Sequence, residues 1–466
     1  MTRKAILQIG TEKTGTTSLQ GFLAANRDRL AARGFLYPRF CGELNHTGLA
    51  AYAMDADRPD PLKAPFGGAS PEAVPQMRER LRKLAGAELT GNHTAIFCSE
   101  HCHSRLETAD EVWRLRDFLA DFFDEIQISV YLRRQDRVAL SLYSTMLKSG
   151  AQPERVLAGV RDISPYFNYD RFLGLWEGVF GRDAISVRLF EPDLLVNRSV
   201  VDDFVATWGL GPIGEFRKVA NENGSISLEA QEFLRLVNPL IDDQSGPTEA
   251  RLRGVVVSTL ERGHPGHGAR PSRAEARAFY ERFRPANERV AQRYFPGRDP
   301  LFSEDFGSYP ELADVRGTDP ETVAGIAAEL LRDAALRIDS LEAEISIRDA
   351  VIAWRDERHS LAVGRIRAAI ARLPGHAGLH RTLGEYLLRL RQTPEAVSAA
   401  EAACVRAPEN AEYWHFLGIA RAAAGDDAGA ADAQQTALDL QPDFDGAQEA
   451  LARAQSRLQT EAAGQG

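Results

Sequence analysis

The chain has 466 residues, of which 44% are hydrophobic and 26% are charged, with 38 glycines and 23 prolines. At roughly 100–200 residues per domain this length predicts two or three domains. The composition is that of a globular protein and excludes a collagen-like, coiled-coil-only or wholly disordered chain. Lysine and arginine number 56 against 66 aspartates and glutamates, a net charge of -10. This charge argues against binding to nucleic acid or an anionic membrane through an extended basic surface.

The four cysteines are too few and too scattered for a disulfide framework in a chain of this length. They are Cys41, Cys98, Cys102 and Cys404. The N-terminal apolar run, Ala5 to Ile9, is too short for the apolar region of a secretory signal, and no stretch approaches the roughly 18 apolar residues of a membrane span. These features predict a cytoplasmic protein without a membrane span.

From residue 1 to about 215, short β-rich runs alternate with amphipathic stretches, a pattern typical of a parallel sheet covered by helices. Residues 216 to 315 are more polar and helical in tendency, and we take them as the distal part of the same domain. The predicted strands are rich enough in Ile, Val and Phe to be buried on both faces; they are Ala5–Ile9, Thr94–Cys98, Ile126–Leu132 and Ala184–Leu189. The sequence therefore predicts an α/β domain over residues 1–315.

Residues 320–358 are rich in Ala, Leu and Glu and lack Gly and Pro after Gly325. An imperfect apolar stripe at Ile338, Leu341, Ile345 and Ile347 indicates one long helical linker, with a coiled coil as one of its forms.

The C-terminal part contains an internal repeat, since Pro374, Pro408 and Pro442 are each 34 residues apart. That period, with small residues at matching places such as Gly384 and Gly418, resembles the tetratricopeptide (TPR) family of helix pairs. We therefore expect an all-α TPR module over 359–460, followed by a flexible tail over 461–466. Such a module offers a concave surface to a protein or peptide partner, self-association included.

A Gly- and Thr-rich loop follows the first predicted strand and runs into an apolar helical stretch, an arrangement that makes an anion cradle. The loop and helix start contain Gly10, Lys13, Thr14, Gly15, Thr16, Thr17 and Ser18. The spacing approaches the nucleoside-triphosphate loop GxxxxGK[ST], but Thr16 stands where that motif requires Lys. Thr14 to Ser18 are predicted to contact a phosphate-bearing ligand, and a tight turn without a ligand is the alternative.

This Lys-x-Gly-Thr-Thr loop resembles the 5′-phosphosulfate loop of the sulfotransferases, which use 3′-phosphoadenosine-5′-phosphosulfate (PAPS). That family's second signature is a strand followed by Arg with Ser eight residues on, and here Ile126–Leu132 precedes Arg133 and Ser141. The resemblance implies a P-loop-like parallel sheet flanked by helices, the sulfotransferase fold, with Arg133 and Ser141 on the donor's 3′-phosphate. Arg134 is an alternative to Arg133 as the arginine that binds this phosphate. Arg217 and Lys218, before the stretch 221–227, are further candidates for the donor pocket.

Sulfuryl transfer requires a cation near the bridging oxygen and a base for the acceptor's hydroxyl proton. Lys13 suits the first role. Glu100 and His101 follow the strand Thr94–Cys98 and so reach the same sheet edge. We favour Glu100 as the base, because the resemblance implies a glutamate in polysaccharide-type enzymes, and His101 is the second candidate. The alternative is that Glu100 is only a surface carboxylate. Asn45 and His46 are predicted to touch the acceptor, and a loop or capping role for the histidine is the alternative.

No metal site is expected, because Cys98, His101, Cys102 and His103 lack the spacing of a zinc site and a second ligand pair. The predicted function is transfer of a sulfuryl group from PAPS to a hydroxyl, which by resemblance belongs to a carbohydrate or glycolipid. Two alternatives stay open: a nucleotide-dependent phosphotransferase, and a non-catalytic TPR scaffold with a degenerate first domain.

Overall fold

The computed structural model describes residues 2–91, 93–153, 155–157, 166–219, 224–241, 247–314 and 317–464. The chain divides into two compact units, Met1–Ile326 and Ala327–Gly466. Within the described residues, no helix is both long and apolar enough to cross a membrane.

The first unit is built on a five-stranded sheet in the order β2-β3-β1-β4-β5 with every neighbouring pair parallel. The strands are β1 (Lys4–Gln8), β2 (Phe35–Leu36), β3 (Thr94–Cys98), β4 (Glu125–Leu132) and β5 (Ile185–Leu189). The four strands predicted from apolar runs are therefore present. The two-residue β2 was not predicted, since a pair of edge residues has no recognisable pattern.

Helices cover both faces of this sheet, and apolar side chains of the central strand alternate between them. Ala5 and Leu7 of β1 face one apolar core, whereas Ile6 faces the other. The helices of the unit are α1 (Thr16–Ala25), α2 (Arg27–Ala31), α3 (Thr47–Ala53), α4 (Val74–Glu88), α5 (His101–Arg105), α6 (Ala109–Ala120), α7 (Gln135–Lys148), α8 (Tyr169–Phe180), α9 (Val200–Thr207), α10 (Leu228–Val237), α11 (Pro247–Gly263), α12 (Arg273–Glu281) and α13 (Arg284–Tyr294).

A long helix, α14 (Pro320–Arg355), occupies the segment predicted as a helical linker, and its first residues belong to the first unit. Six further helices follow: α15 (His359–Arg372), α16 (Ala377–Arg389), α17 (Thr393–Arg406), α18 (Ala411–Ala423), α19 (Asp427–Leu440) and α20 (Asp445–Gly464). Helix α20 thus runs through residues 461–464, which were predicted as part of a flexible tail; 465–466 lie outside the described residues.

The second unit consists of TPR-like helix pairs, in which α16 packs on α17 and α18 packs on α19. Gly384 and Gly418 lie in close contact with residues of neighbouring helices. A Cβ atom on Gly384 would lie 2.8 Å from the ring of Phe416, and one on Gly418 would lie 2.2 Å from the side-chain amide of Gln434. A larger residue at either position would require its neighbours to move, which favours glycine at both places of the 34-residue period.

Candidate functional site

The strand order brings three of the predicted segments to one edge of the sheet. Strand β1 lies between β3 and β4, and the loop after it continues the pairing, because the backbone N–H of Ile9 donates to Ser129 and that of Thr11 donates to Tyr131, both at 2.9 Å. In parallel sheets, ligands bind beyond the carboxyl ends of the strands, at the point where the strand order reverses. The loop, Glu100 and Arg133 all follow strands that end at this edge.

The loop between β1 and α1 is held in a compact form by its own hydrogen bonds. The hydroxyl of Thr14 donates to the carbonyl of Thr11 at 2.6 Å, and Lys13 and Gly15 both have left-handed backbones, with φ of 66° and 78°. Gly15 precedes α1 without a side-chain cap, so the first-turn N–H groups of this helix have no side-chain acceptor in the capping residue. This is the backbone that an anion cradle requires.

Two cations, Lys13 and Arg133, meet at the loop. The guanidinium of Arg133 donates from Nη1 to the carbonyl oxygen of Lys13 at 2.7 Å and lies 5.4 Å from the centre of the Phe190 ring. The ammonium of Lys13 donates to the Thr145 hydroxyl on α7 at 2.8 Å. Burial lowers the pKa of Lys13, against the opposing effect of Glu12 and Glu100. The site thus brings two cations and two carboxylates together at the edge of the sheet.

The hydroxyl-bearing residues predicted to bind the donor lie on two helices that begin at this edge. Thr16 is buried, Thr17 is exposed and Ser18 is half-buried in the first turn of α1. Ser141 is half-buried on α7, and its carbonyl oxygen accepts from Thr145 at 3.1 Å. Since Thr145 also binds Lys13, Ser141 lies one helical turn from a residue that contacts the loop.

The carboxylate of Glu100 is fixed by two side-chain amides. Nε2 of Gln20 donates to Oε2 at 2.6 Å, and Nδ2 of Asn45 donates to Oε1 at 2.9 Å. Asn45, predicted to touch the acceptor, therefore contacts the candidate base itself. Gln20 was not predicted; its only signal in the sequence is its place on α1 four residues after Thr16, on the same face of that helix.

His46 turns into the core, contrary to its predicted contact with an acceptor. It is fully buried, its Nε2 lies 2.8 Å from the carbonyl of Pro38, and its Nδ1 accepts from the backbone N–H of Cys98 at 3.1 Å. Burial lowers the pKa of His46 to about 3. This neutral imidazole with both nitrogens occupied ties the Tyr37–His46 segment to β3 and has no group left to bind a ligand.

The second candidate base, His101, lies beside Glu12, whose role was not predicted. Nδ1 of His101 is 4.0 Å from Oε1 of Glu12, and Oε2 of Glu12 accepts from the Tyr166 hydroxyl at 2.7 Å. Burial would raise the pKa of Glu12, but hydrogen bonds, including the one from Tyr166, and the nearby positive charge of Lys13 lower it. Glu12 therefore stays ionised, directly before Lys13 in the loop.

A cleft of about 270 Å³ opens next to Glu12, between the loop, α5 and α7. Most of its wall is apolar or aromatic, with one carboxylate and two guanidinium groups among the polar residues. It is lined by Glu12, Ser104, Arg105, Ala139, Leu142, Tyr143, Met146, Pro153, Arg155, Val156 and Tyr166. A cleft of this kind can hold the apolar part of an organic molecule beside a charged loop.

The alternative donor contacts serve other purposes in the structure. Arg134 is buried and pairs with Asp136, its Nε at 2.8 Å from Oδ1, while its Nη1 donates to the carbonyls of Ser303 and Asp305. Arg217 pairs with Asp28 of α2 at 2.7 Å, and residues 221–223 lie outside the described part of the chain. Arg133 is thus the arginine directed at the loop.

Among the described residues, no group of three or more His, Cys, Asp and Glu side chains is arranged to hold a metal ion. Cys98 and Cys102 are buried, and the ring nitrogens of His103 face the Glu12 backbone N–H at 3.4 Å and the Tyr166 carbonyl at 3.0 Å. Burial lowers the pKa of His103 to about 4, so this crowded segment is a packed part of the fold.

No model of a known protein family matches the sequence, and no curated protein matches it. Solved structures similar to the chain include three TPR domains. The TPR domain of Sgt2 from Aspergillus fumigatus is 21% identical, with 27% of this chain and 83% of that chain covered and a TM-score of 0.25. The Arabidopsis OM64 TPR domain is 20% identical over 26% of this chain and 98% of that chain, with a TM-score of 0.24. The first TPR domain of Spaghetti (RPAP3), bound to an HSP90 peptide, is 18% identical over 26% and 94%, with a TM-score of 0.25.

Proposed function

We propose that the first unit is a sulfotransferase that moves a sulfuryl group from PAPS to a hydroxyl acceptor. The observation that carries this proposal is the contact between Arg133 and the carbonyl of Lys13 at 2.7 Å, because it joins the two signature segments, 120 residues apart in sequence, in one site. A guanidinium is suited to a phosphate, and a loop that leads into a helix N-terminus is suited to a second anionic group.

Each residue of the site has a chemical role in this proposal. PAPS supplies the sulfuryl group on a phosphosulfate, and the bond from sulfur to the bridging oxygen breaks as a bond to the acceptor oxygen forms. Lys13 stabilises the negative charge that develops on that bridging oxygen. Arg133 and Ser141 bind the 3′-phosphate of PAPS, and Thr14 to Ser18 bind its 5′-phosphosulfate group.

Glu100 takes the proton from the acceptor hydroxyl. Its carboxylate is held in one orientation by Gln20 and Asn45, which fixes the geometry that a general base needs. Each oxygen accepts one hydrogen bond from these amides and retains a second lone pair for the proton.

The cleft beside Glu12 suits the acceptor, since it opens next to the loop residue that precedes Lys13. Its largely apolar wall favours an acceptor with an apolar part over a bare sugar. Of the two acceptor classes implied by the sulfotransferase resemblance, a glycolipid fits this lining better than a carbohydrate without a lipid.

The TPR-like repeats of the second unit suit a peptide or protein partner, because stacked helix pairs form an extended concave surface. Recruitment of the enzyme to such a partner is the corresponding proposal for this unit. If the first unit binds no nucleotide, the chain is instead a scaffold that acts through these repeats alone.

The test is calorimetric titration of the full chain with 3′-phosphoadenosine-5′-phosphate, with ADP and with ATP plus Mg²⁺. We expect metal-independent binding that prefers the 3′-phosphate. Arg133→Ala should weaken it by 10-fold or more, since a charge-assisted hydrogen bond contributes about 1.5–3 kcal/mol. Arg217→Ala is the matched control, because Arg217 pairs with Asp28 away from the loop, and it should leave the affinity unchanged.

Two other outcomes would change the proposal. Preference for ATP with Mg²⁺ would favour a phosphotransferase, and no binding to any of the three ligands would favour the scaffold. Equal losses in Arg133→Ala and Arg217→Ala would refute the assignment of Arg133 to the 3′-phosphate. Acceptors are then screened by release of 3′-phosphoadenosine-5′-phosphate from PAPS, with lipid-linked and free sugars side by side.

A further inference from the structure

Helix α7 has a polar face beside the loop between β1 and α1. Arg137, Ser141 and Thr145 are each four residues apart on this helix, and residues at that spacing lie on the same side. Val138 and Ala139 lie on other sides of the helix and are buried in an apolar cluster. The three polar side chains therefore share the side of α7 that this apolar cluster leaves open.

Both ends of this polar face contact the same loop residue. Arg133, just before α7, donates to the carbonyl oxygen of Lys13 at 2.7 Å, and the hydroxyl of Thr145 accepts from the ammonium of Lys13 at 2.8 Å. Arg137 and Ser141 lie between these two contacts, roughly one and two helical turns after Arg133. They therefore border the same space beside the loop.

The guanidinium of Arg137 is unpaired in this space. Its side chain is half-buried, and among the described residues it makes no hydrogen bond and no ion pair. Burial lowers the pKa of Arg133, and the like charge of Arg137 lowers it further. Since a partly buried cation without a partner costs free energy, the empty fold gains nothing from a second guanidinium here.

Two neighbouring guanidinium groups and a hydroxyl match the chemistry of a phosphate monoester. Such a group carries close to two negative charges at neutral pH and has three terminal oxygens, whereas each guanidinium offers five N–H donors in a planar fork. We propose that Arg137 is a second arginine for the 3′-phosphate of PAPS, which it binds together with Arg133 and Ser141. This inference rests on the proposed sulfotransferase function and assigns the preference for a 3′-phosphorylated nucleotide to the arginine pair.

The experiment is calorimetric titration of the full chain with 3′-phosphoadenosine-5′-phosphate and with adenosine 5′-monophosphate, which differ only in the 3′-phosphate. Arg137→Met removes the charge and keeps a long apolar side chain. It should weaken binding of the 3′-phosphorylated nucleotide by about 10–100-fold and leave the affinity for adenosine 5′-monophosphate unchanged. Arg137→Lys should show a smaller loss, because it keeps the charge without the fork of donors.

Arg217→Met is the matched control. Arg217 pairs with Asp28 at 2.7 Å and donates to the carbonyl of Ala25, the last residue of α1, so it lies at the end of this helix away from the loop. This variant should leave both affinities unchanged. Without a ligand, Arg137→Met should keep or raise the melting temperature, because it removes an unpaired cation next to a like charge, whereas Arg217→Met loses an ion pair and should not raise it.

The outcomes separate this inference from the function on which it rests. If the wild type prefers the 3′-phosphorylated nucleotide and Arg137→Met keeps that preference, the role of Arg137 is overturned and the donor site stands. Equal losses of affinity for the two nucleotides, or a lower melting temperature of the empty variant, would show that Arg137 supports the fold instead. A wild-type chain that binds the two nucleotides equally would overturn both the arginine pair and the proposed use of PAPS.

Discussion

Gly15 is the residue at which the backbone conformation of the loop between β1 and α1, and the packing of that loop against Val200 and Phe190, can be tested together. Alanine here must adopt φ of about 78°, which costs roughly 1 kcal/mol for a residue with a Cβ. Its Cβ would also lie 2.8 Å from Cγ1 of Val200 and 3.4 Å from the ring of Phe190, and such overpacking typically costs about 1–3 kcal/mol. Gly15→Ala should therefore lower the free energy of unfolding of the first unit by about 2–4 kcal/mol.

Gly34 provides the matched control. Its φ of 82° is nearly the same, but a Cβ there would meet nothing within 4 Å, so Gly34→Ala should cost only the backbone term of roughly 1 kcal/mol. Urea denaturation is followed by tryptophan fluorescence in a Trp354→Phe/Trp414→Phe background, in which the three remaining tryptophans all lie in the first unit. Equal losses for the two glycine variants would refute the packing of Gly15 against Val200 and Phe190.

Three further outcomes are expected. Glu100→Gln should lower turnover by about 10²–10⁴-fold and leave the affinity for 3′-phosphoadenosine-5′-phosphate unchanged; equal turnover of the variant would exclude Glu100 as the base. The pKa of His46 is about 3 in the fold and near 6.5 when unfolded, so the unfolded chain binds the extra proton between these values and stability falls on acidification. Between pH 6 and pH 5 the wild type should lose up to about 1.4 kcal/mol more unfolding free energy than His46→Gln, and parallel pH curves would contradict this. Gly384→Ala should destabilise the second unit by about 1–3 kcal/mol, because the added methyl group contacts Phe416. Gly364→Ala in helix α15, where a Cβ meets nothing within 4 Å, should instead stabilise this unit by up to about 1 kcal/mol. Thermal unfolding of the two variants distinguishes these effects.

The features that could be predicted from the sequence are those encoded by local pattern. The strand Thr94–Cys98 is an apolar run buried on both sides and was found with the same bounds. The 34-residue repeat predicted helix pairs because each copy repeats the same small residues at close contacts. Both signals arise within a few turns or strand lengths of chain, where periodicity decides which side chains share a face.

The side-chain roles at the site could not be predicted in the same way. Asn45 and His46 are neighbours in sequence, yet Asn45 reaches the carboxylate of Glu100 while His46 turns into the core. Which way each points depends on how the segment before α3 packs on β3, a contact between residues about fifty positions apart. A sequence shows that an amide and an imidazole are available but not which of them reaches the carboxylate of Glu100.

The two acidic residues next to Lys13 in space differ in how they are held, and this difference separates their roles. Glu100 is bound by two neutral amides, which fix its orientation while each oxygen keeps a lone pair for the acceptor's proton. Glu12 accepts from Tyr166, and its lowered pKa keeps it ionised beside Lys13. Glu12 is therefore suited to hold a charge beside Lys13 and the cleft, and Glu100 is suited to take the proton.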